Sequence, residues 1–327
     1  MNKRMIYLIS LIAEMSQKLN IPKRYSKKFI NSGNEYLSPT EKIRIEDLTD
    51  HFVTAGIVGR IEVLPILGKD GYRVIEFEPD IIGGQFPYSA SDLIQIKAGV
   101  PMYTKTGAEI PTIKQMEAKY SRLIAAAIDN RFEKQCAEVY LKGTYTDKNK
   151  KAHEVGVKAD KPLSWTNGTT VFVDEVLKLA LAYQTKHGMW PEIEVGENIF
   201  NAIKNEANDT RQNINKVEFR VDGSEPYLMI GTQKVELLVN AKGTDDKEID
   251  TKNLIILSNV NNLAVGYGCL TYGDVAKNES VLVRSKVIAG DTKVEETTGS
   301  KGLWGKSAPM PLVLSTTKFE RYKVTIS

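Results

Sequence analysis

Gly305-Lys306-Ser307 is where phosphate chemistry first suggests itself, because a glycine loop ending in lysine and a hydroxyl can wrap a phosphate at a helix N-terminus. That loop needs a glycine at position 300. The chain has Ser300 there, with Gly299 one place too early, and Pro309 and Pro311 forbid the helix that should follow. The three histidines, His51, His153 and His187, are scattered and lack the spacing that would place two of them on one metal. No nucleophile elbow and no dinucleotide-binding glycine pattern occurs. The acidic run Asp245-Asp246-Lys247-Glu248-Ile249-Asp250 could attract a cation, but it lacks the glycine and ligand order of a calcium loop and reads as a solvated turn. Two cysteines, Cys136 and Cys269, are too few for a disulfide framework and read as buried free thiols. These residues predict no catalytic centre, no cofactor and no metal.

The elements must therefore carry the function. The chain has 327 residues, 42% hydrophobic and 26% charged, with a net charge of +3, the profile of a globular protein with a sizeable core. Its charge is uneven. Residues 1–30 hold seven basic residues against Glu14 alone, and Lys23, Arg24, Lys27 and Lys28 form a candidate basic arm. Met5–Ala13 superficially resembles a signal peptide, yet apolar positions 5, 8, 9, 12 and 15 fit an amphipathic helix better. No apolar run is long enough to span a membrane.

Pro22 and a basic stretch follow, Asn31-Ser-Gly-Asn34 reads as a polar break, and Lys42–Glu46 as a brief strand. Ile57–Leu67, the turn Gly68-Lys-Asp-Gly71 and Tyr72–Glu78 predict an exposed hairpin. Pro79, Gly83, Gly84 and Pro87 predict a loop. Ile110–Lys142 carries apolar residues at helical spacing and stops at Gly143, which predicts a helix of about 45 Å at 1.5 Å per residue. Its outer face is charged with Lys119, Arg122, Asp129, Glu133 and Lys134. Residues 144–170 read as a connection, followed by helices over Val171–Lys186 and Glu197–Asn208. Strands are expected at Pro191–Val195, Val217–Val221, Tyr227–Ile230, Val235–Val239, Leu254–Leu257, Met310–Leu314 and Glu320–Ile326. The class is α+β.

Several phrases then occur in a telling order: Ser38-Pro-Thr-Glu-Lys-Ile-Arg-Ile45, Glu76-Phe-Glu-Pro79, Tyr140-Leu-Lys-Gly-Thr-Tyr145, Tyr267-Gly-Cys-Leu-Thr-Tyr272 and Ser307-Ala-Pro-Met-Pro-Leu312. Their succession resembles the lambda-type capsid E family of tailed bacteriophages, which has the Hong Kong 97-like capsid fold. The resemblance implies an N-terminal arm (1–56), an extended loop (57–105), a peripheral domain with a spine helix (106–170 and 276–327) and an axial domain (171–275). It implies a subunit that joins copies of itself as pentamers and hexamers in an icosahedral shell around double-stranded DNA, with scaffolding, portal and possible decoration proteins as partners and no membrane. Candidate inter-subunit contacts are Ile66, Leu67, Gly68, Lys69, Asp70, Gly71 and Tyr72, with no cross-link expected from Lys69. An encapsulin-like cellular compartment is the alternative, and a soluble α+β enzyme the next.

Overall fold

The computed structural model describes residues 3–18, 23–47, 73–88, 112–155, 160–166, 168–208, 217–222, 225–274, 279–292 and 301–327. Ile57–Leu67, the turn at 68–71, Tyr72 and His51 lie outside them.

The described residues form helices α1 (Lys3–Lys18), α2 (Arg24–Asn31), α3 (Thr112–Lys142), α4 (Phe172–His187) and α5 (Glu197–Asn208). The spine expected over Ile110–Lys142 is α3. It ends as the sequence predicts: Gly143 takes φ +70° and donates its N–H to the Val139 carbonyl at 2.9 Å. Its second half departs from an amphipathic helix. Phe132, Cys136, Ala137, Val139, Tyr140 and Leu141 are all in the core, and Gln135 and Glu138 are buried with them. The charged outer face is only partly solvated. Asp129 binds Lys23 at 2.7 Å, and the Glu133 carboxylate accepts the Tyr25 and Ser26 N–H groups at 2.8 Å each. Glu133 thereby satisfies the first turn of α2, a helix formed by the basic stretch, where none is expected from the sequence.

A seven-stranded mixed sheet runs in the order Lys161–Trp165, Glu320–Ile326, Leu254–Ser258, Glu192–Val195, Gln233–Leu237, Glu225–Ile230, Val217–Asp222. Leu254–Ser258 is buried along its whole length, the reason its sequence is a continuous apolar run. Its residues alternate between two cores. Ile255 and Leu257 pack with α4 and α5, whereas Leu254 and Ile256 face α2 and the spine. Two three-stranded sheets complete the spine side. One joins Glu35–Leu37, Leu263–Tyr267 and Pro309–Val313; the other joins Ile288–Asp291, Lys301–Ser307 and Ile82–Tyr88.

Two expectations change. Residues 82–88 are a strand, not a loop, and Pro87 is tolerated because the strand lies at a sheet edge among the described residues. The connection at 144–170 contains the hairpin Thr144–Thr146/Ala152–Glu154 and the strand Lys161–Trp165. Lys161–Trp165 and Glu320–Ile326 pair within the seven-stranded sheet, whereas Leu263–Tyr267 pairs with Pro309–Val313 beside the spine. The amphipathic helix expected near the N-terminus is α1, whose Leu8 and Ile12 are buried with Ile124, Ile128 and Leu303.

Gly305 explains itself here. It sits in the strand Lys301–Ser307, and a Cβ on it would come within 2.7 Å of Ile124 Cγ2 and 3.0 Å of Ile12 Cδ1. The glycine that invites a phosphate reading is where sheet, spine and α1 meet.

Candidate functional site

Chemistry-bearing side chains are present, but each is engaged in holding elements together. His153 Nε2 lies 3.0 Å from Asp147 Oδ2 in the hairpin turn, and the same carboxylate accepts the Asn149 and Lys151 N–H groups. The His153 hydrogen bond, aided by these amides, lowers the Asp147 pKa; the arrangement is a turn staple. His187 ends α4, buried against the Tyr183 ring at 4.5 Å. Cys136 and Cys269 are free and buried, and burial pushes the Cys136 thiol well up, away from the reactive thiolate. No group of three or more metal-ligating side chains occurs among the described residues. No helix there is long and apolar enough to cross a membrane.

The buried charges form a joint between the spine and the seven-stranded sheet. Lys28 of α2 places Nζ 3.0 Å from Glu194 Oε1 and 3.9 Å from Glu236 Oε2, and 5.5 Å from the centre of the Tyr140 ring. Tyr140 donates its hydroxyl to Glu194 and lies 3.1 Å from Ser258 Oγ. Burial first, then the Glu194 charge, raises the Tyr140 pKa well above its ordinary value, so the phenol stays a donor. Arg24 adds a bond to the Leu237 carbonyl and an ion pair with Glu225 at 3.5 Å, and Tyr25 donates to the Val239 carbonyl at 2.6 Å. A second joint fixes α1: Arg4 grips Asp291 with Nε at 2.9 Å and also binds Glu117 of the spine.

Three of the four residues of the candidate basic arm thus meet the chain's own carboxylates: Lys23, Arg24 and Lys28, with Lys27 exposed. Sequence reasoning missed these partners. Pro191–Val195 reads only as a strand, and Glu194 in it is buried because the spine covers that face. The aromatic pair Tyr25 and Phe29, one turn apart, was the available signal for α2.

A two-stranded ribbon flanks residues 48–72. Ile43–Asp47 pairs antiparallel with Arg73–Phe77, in a register running from Ile43 opposite Phe77 to Asp47 opposite Arg73. The described partner of the returning strand is Ile43–Asp47, and the expected strand Ile57–Leu67 lies outside the described residues. Ile43 is buried and Phe77 packs on the main core, so the ribbon's base is fixed to the body. Residues 48–72 connect its two strands, and Ile66, Leu67, Gly68, Lys69, Asp70, Gly71 and Tyr72 fall outside the described residues.

This geometry has a counterpart among solved structures. A prophage capsid protein from E. coli CFT073 superposes with a TM-score of 0.63 at 13% identity, over 99% of this chain and all of that one. The encapsulin SrpI of Synechococcus elongatus gives 0.47 at 11% identity, over 95% of this chain and 94% of that one. The structure described as Microbacterium phage Oxtober96 gives 0.49 at 11%, over 93% and 91%. A search of curated proteins returned no match. The architecture is the Hong Kong 97-like capsid fold, that of shell-forming subunits. The model of the family described as phage major capsid protein E matches residues 8–172, half of the chain, and the chain belongs to that family. It is a phage major capsid protein.

Proposed function

We propose that this chain is the tile of an icosahedral phage head, closing in pentamers and hexamers around packaged double-stranded DNA. Its role is structural, with no reaction of its own. One observation carries the reading: the fold is that of capsid proteins, and in it the ribbon Ile43–Asp47/Arg73–Phe77 is fixed to the body at Ile43 and Phe77, with residues 48–72 joining its two strands. A lone two-stranded ribbon is marginal in water, and in a shell a neighbouring subunit supplies its cover. Ile66–Tyr72 are the assigned contacts. Copies joined head to tail by such ribbons close into rings, the geometry a shell requires. The seven-stranded sheet with α4 and α5 is the axial body; α1, the spine and the two three-stranded sheets are the peripheral body.

The internal ion pairs of Lys23, Arg24 and Lys28 support bracing of the subunit, which leaves Lys27 as the arm residue assigned to the shell interior. Scaffolding and portal proteins are the expected partners, with a decoration protein on the outside, and assembly takes place in the host cytoplasm. The cellular-compartment alternative shares the fold, but the family model favours the phage head.

The test replaces Ile66–Arg73 by a short Gly-Ser linker. The subunit should stay soluble and melt cooperatively while electron microscopy finds no shells. Shells of normal size from that variant would overturn the reading.

A further inference from the structure

Among the described residues only two that are not glycine take a left-handed backbone, Lys150 and Asp246, each at φ +63°. Both close the turn of a small hairpin, donating their N–H to the carbonyl three residues back, at a position that favours glycine or asparagine. Asp246 has an internal reason to be there, because its carboxylate pairs with Lys134 of the spine. Lys150 pairs with no carboxylate among the described residues. A lysine kept on a disfavoured backbone, with nothing inside the subunit to hold, points to a partner outside it.

The turn that carries it is held in one shape. Asp147 Oδ1 accepts the Asn149 and Lys151 N–H groups at 2.8 and 2.9 Å, and Asp80 Oδ2 accepts the Lys148 N–H at 2.7 Å. At the base of the hairpin, Tyr145 and Val155 are buried in the main core. The turn thus presents Lys148, Lys150 and Lys151, all exposed and none paired with a carboxylate among the described residues. The nearby carboxylates of Asp147 and Asp80 are engaged by these main-chain groups, by His153 and by Tyr145. The contrast with the N-terminal basic stretch is direct. Lys23, Arg24 and Lys28 meet carboxylates of their own chain at 2.7, 3.5 and 3.0 Å.

The surroundings say what kind of anion fits. Every residue from Lys148 to Ala152 is exposed, and none of them is large and apolar. A protein partner is held by a buried apolar centre, which this turn does not offer. It shows no exposed tyrosine, phenylalanine or tryptophan on which unpaired bases could stack. Lysines hold phosphate oxygens as point charges and read no base. We infer that the turn 147–151 is a sequence-independent contact for the phosphate backbone of duplex DNA. The source of that DNA, the contents of a filled head, rests on the reading above; the chemistry of the surface does not.

The test measures binding of the full-length, unassembled subunit to a short labelled duplex by fluorescence anisotropy over a range of salt. Lys148→Gln, Lys150→Gly and Lys151→Gln together should weaken binding about tenfold or more at low salt, and should reduce the slope of log affinity against log salt by about two to three. Glycine is at ease at φ +63°, so Lys150→Gly alone should melt at the parent's temperature or above while lowering the slope by about one. A control removes the same charge elsewhere. Lys18→Gln, Lys178→Gln and Lys247→Gln together, at lysines paired with Glu14, Glu175 and Asp245, should cost little affinity. Closed shells give a second measurement: an amine-reactive polymer too large to enter should label Lys150 and Lys151 in free subunits and spare them in shells. Parent affinity in the turn variant, equal losses in turn variant and control, or a parent that does not bind duplex at low salt would each overturn the contact. Labelling of the turn in closed shells would overturn it too, since packaged DNA lies inside. Tighter binding of poly-glutamate than of duplex would overturn the choice of nucleic acid. A parent chain that never forms shells would sink the phage-head reading, while the contact would stand or fall on the anisotropy series.

Discussion

Replacing Gly305 by alanine puts one methyl group where three elements converge. The new Cβ would lie 2.7 Å from Ile124 Cγ2 and 3.0 Å from Ile12 Cδ1, both closer than carbon atoms pack. The two neighbours differ in freedom. Ile12 Cδ1 is the far end of a side chain and can swing aside, whereas Ile124 Cγ2 moves only with the spine or by a χ1 rotation that a helix disfavours for a β-branched residue. Gly305 has no left-handed backbone, so alanine gains about 0.5–1 kcal/mol from a less flexible unfolded chain. Overpacking of this kind costs about 1–3 kcal/mol. The net expectation is a loss of about 1–2 kcal/mol, measured by urea unfolding of the unassembled subunit with tryptophan fluorescence. Ile124→Ala alone should cost about 2–5 kcal/mol through its cavity. Combined with Gly305→Ala it should cost less than the sum, with a coupling of about 1 kcal/mol or more. A neutral Gly305→Ala, or two strictly additive effects, would refute the packing argument.

Lys28→Met should be more damaging, because it leaves Glu194 buried without its cation; about 3–5 kcal/mol is expected, and the double variant with Glu194→Gln should recover much of it. Equal stability of parent and single variant in urea would show that the joint is solvated. Glu320 gives a pH dependence: although burial acts to raise its pKa, hydrogen bonds from Lys186, Tyr322 and Lys161 outweigh this and hold it at about 2, against 4.5 when unperturbed. Its contribution is therefore present above 4.5 and is lost as the pH falls toward about 2. Because both lysines are half exposed, about 1–2 kcal/mol is expected, and Glu320→Gln should flatten this limb of an acid-unfolding curve; an unchanged limb would count against the assignment.

What could be read from the sequence was what local periodicity determines. The spine and α4 announced themselves through apolar spacing and glycine stops, α5 was expected over the residues it occupies, and Leu254–Leu257 showed itself through its unbroken apolar run. Features set by distant partners were illegible. Helix α2 has only Tyr25 and Phe29 as apolar anchors and gains its start from Glu133, more than a hundred positions away. Residues 82–88 hold the glycines and proline of a loop, yet Gly83 is required because a Cβ there would strike the Gly305 carbonyl at 2.5 Å. The pairing of Arg73–Phe77 with Ile43–Asp47 was likewise not legible, because pairing partners are set by topology.

Leu254–Ser258 has a mechanical consequence. Its two faces belong to different cores and its two edges are hydrogen-bonded to Glu320–Ile326 and Glu192–Val195. A pull that drew the axial body away from the spine would have to peel Leu254 and Ile256 out of one core, or shear the strand from both flanking strands at once. Neither route begins with a single weak contact. Tension from the contents of a filled head would therefore strain the subunit as one stiff plate, and yielding would start at the seams between plates.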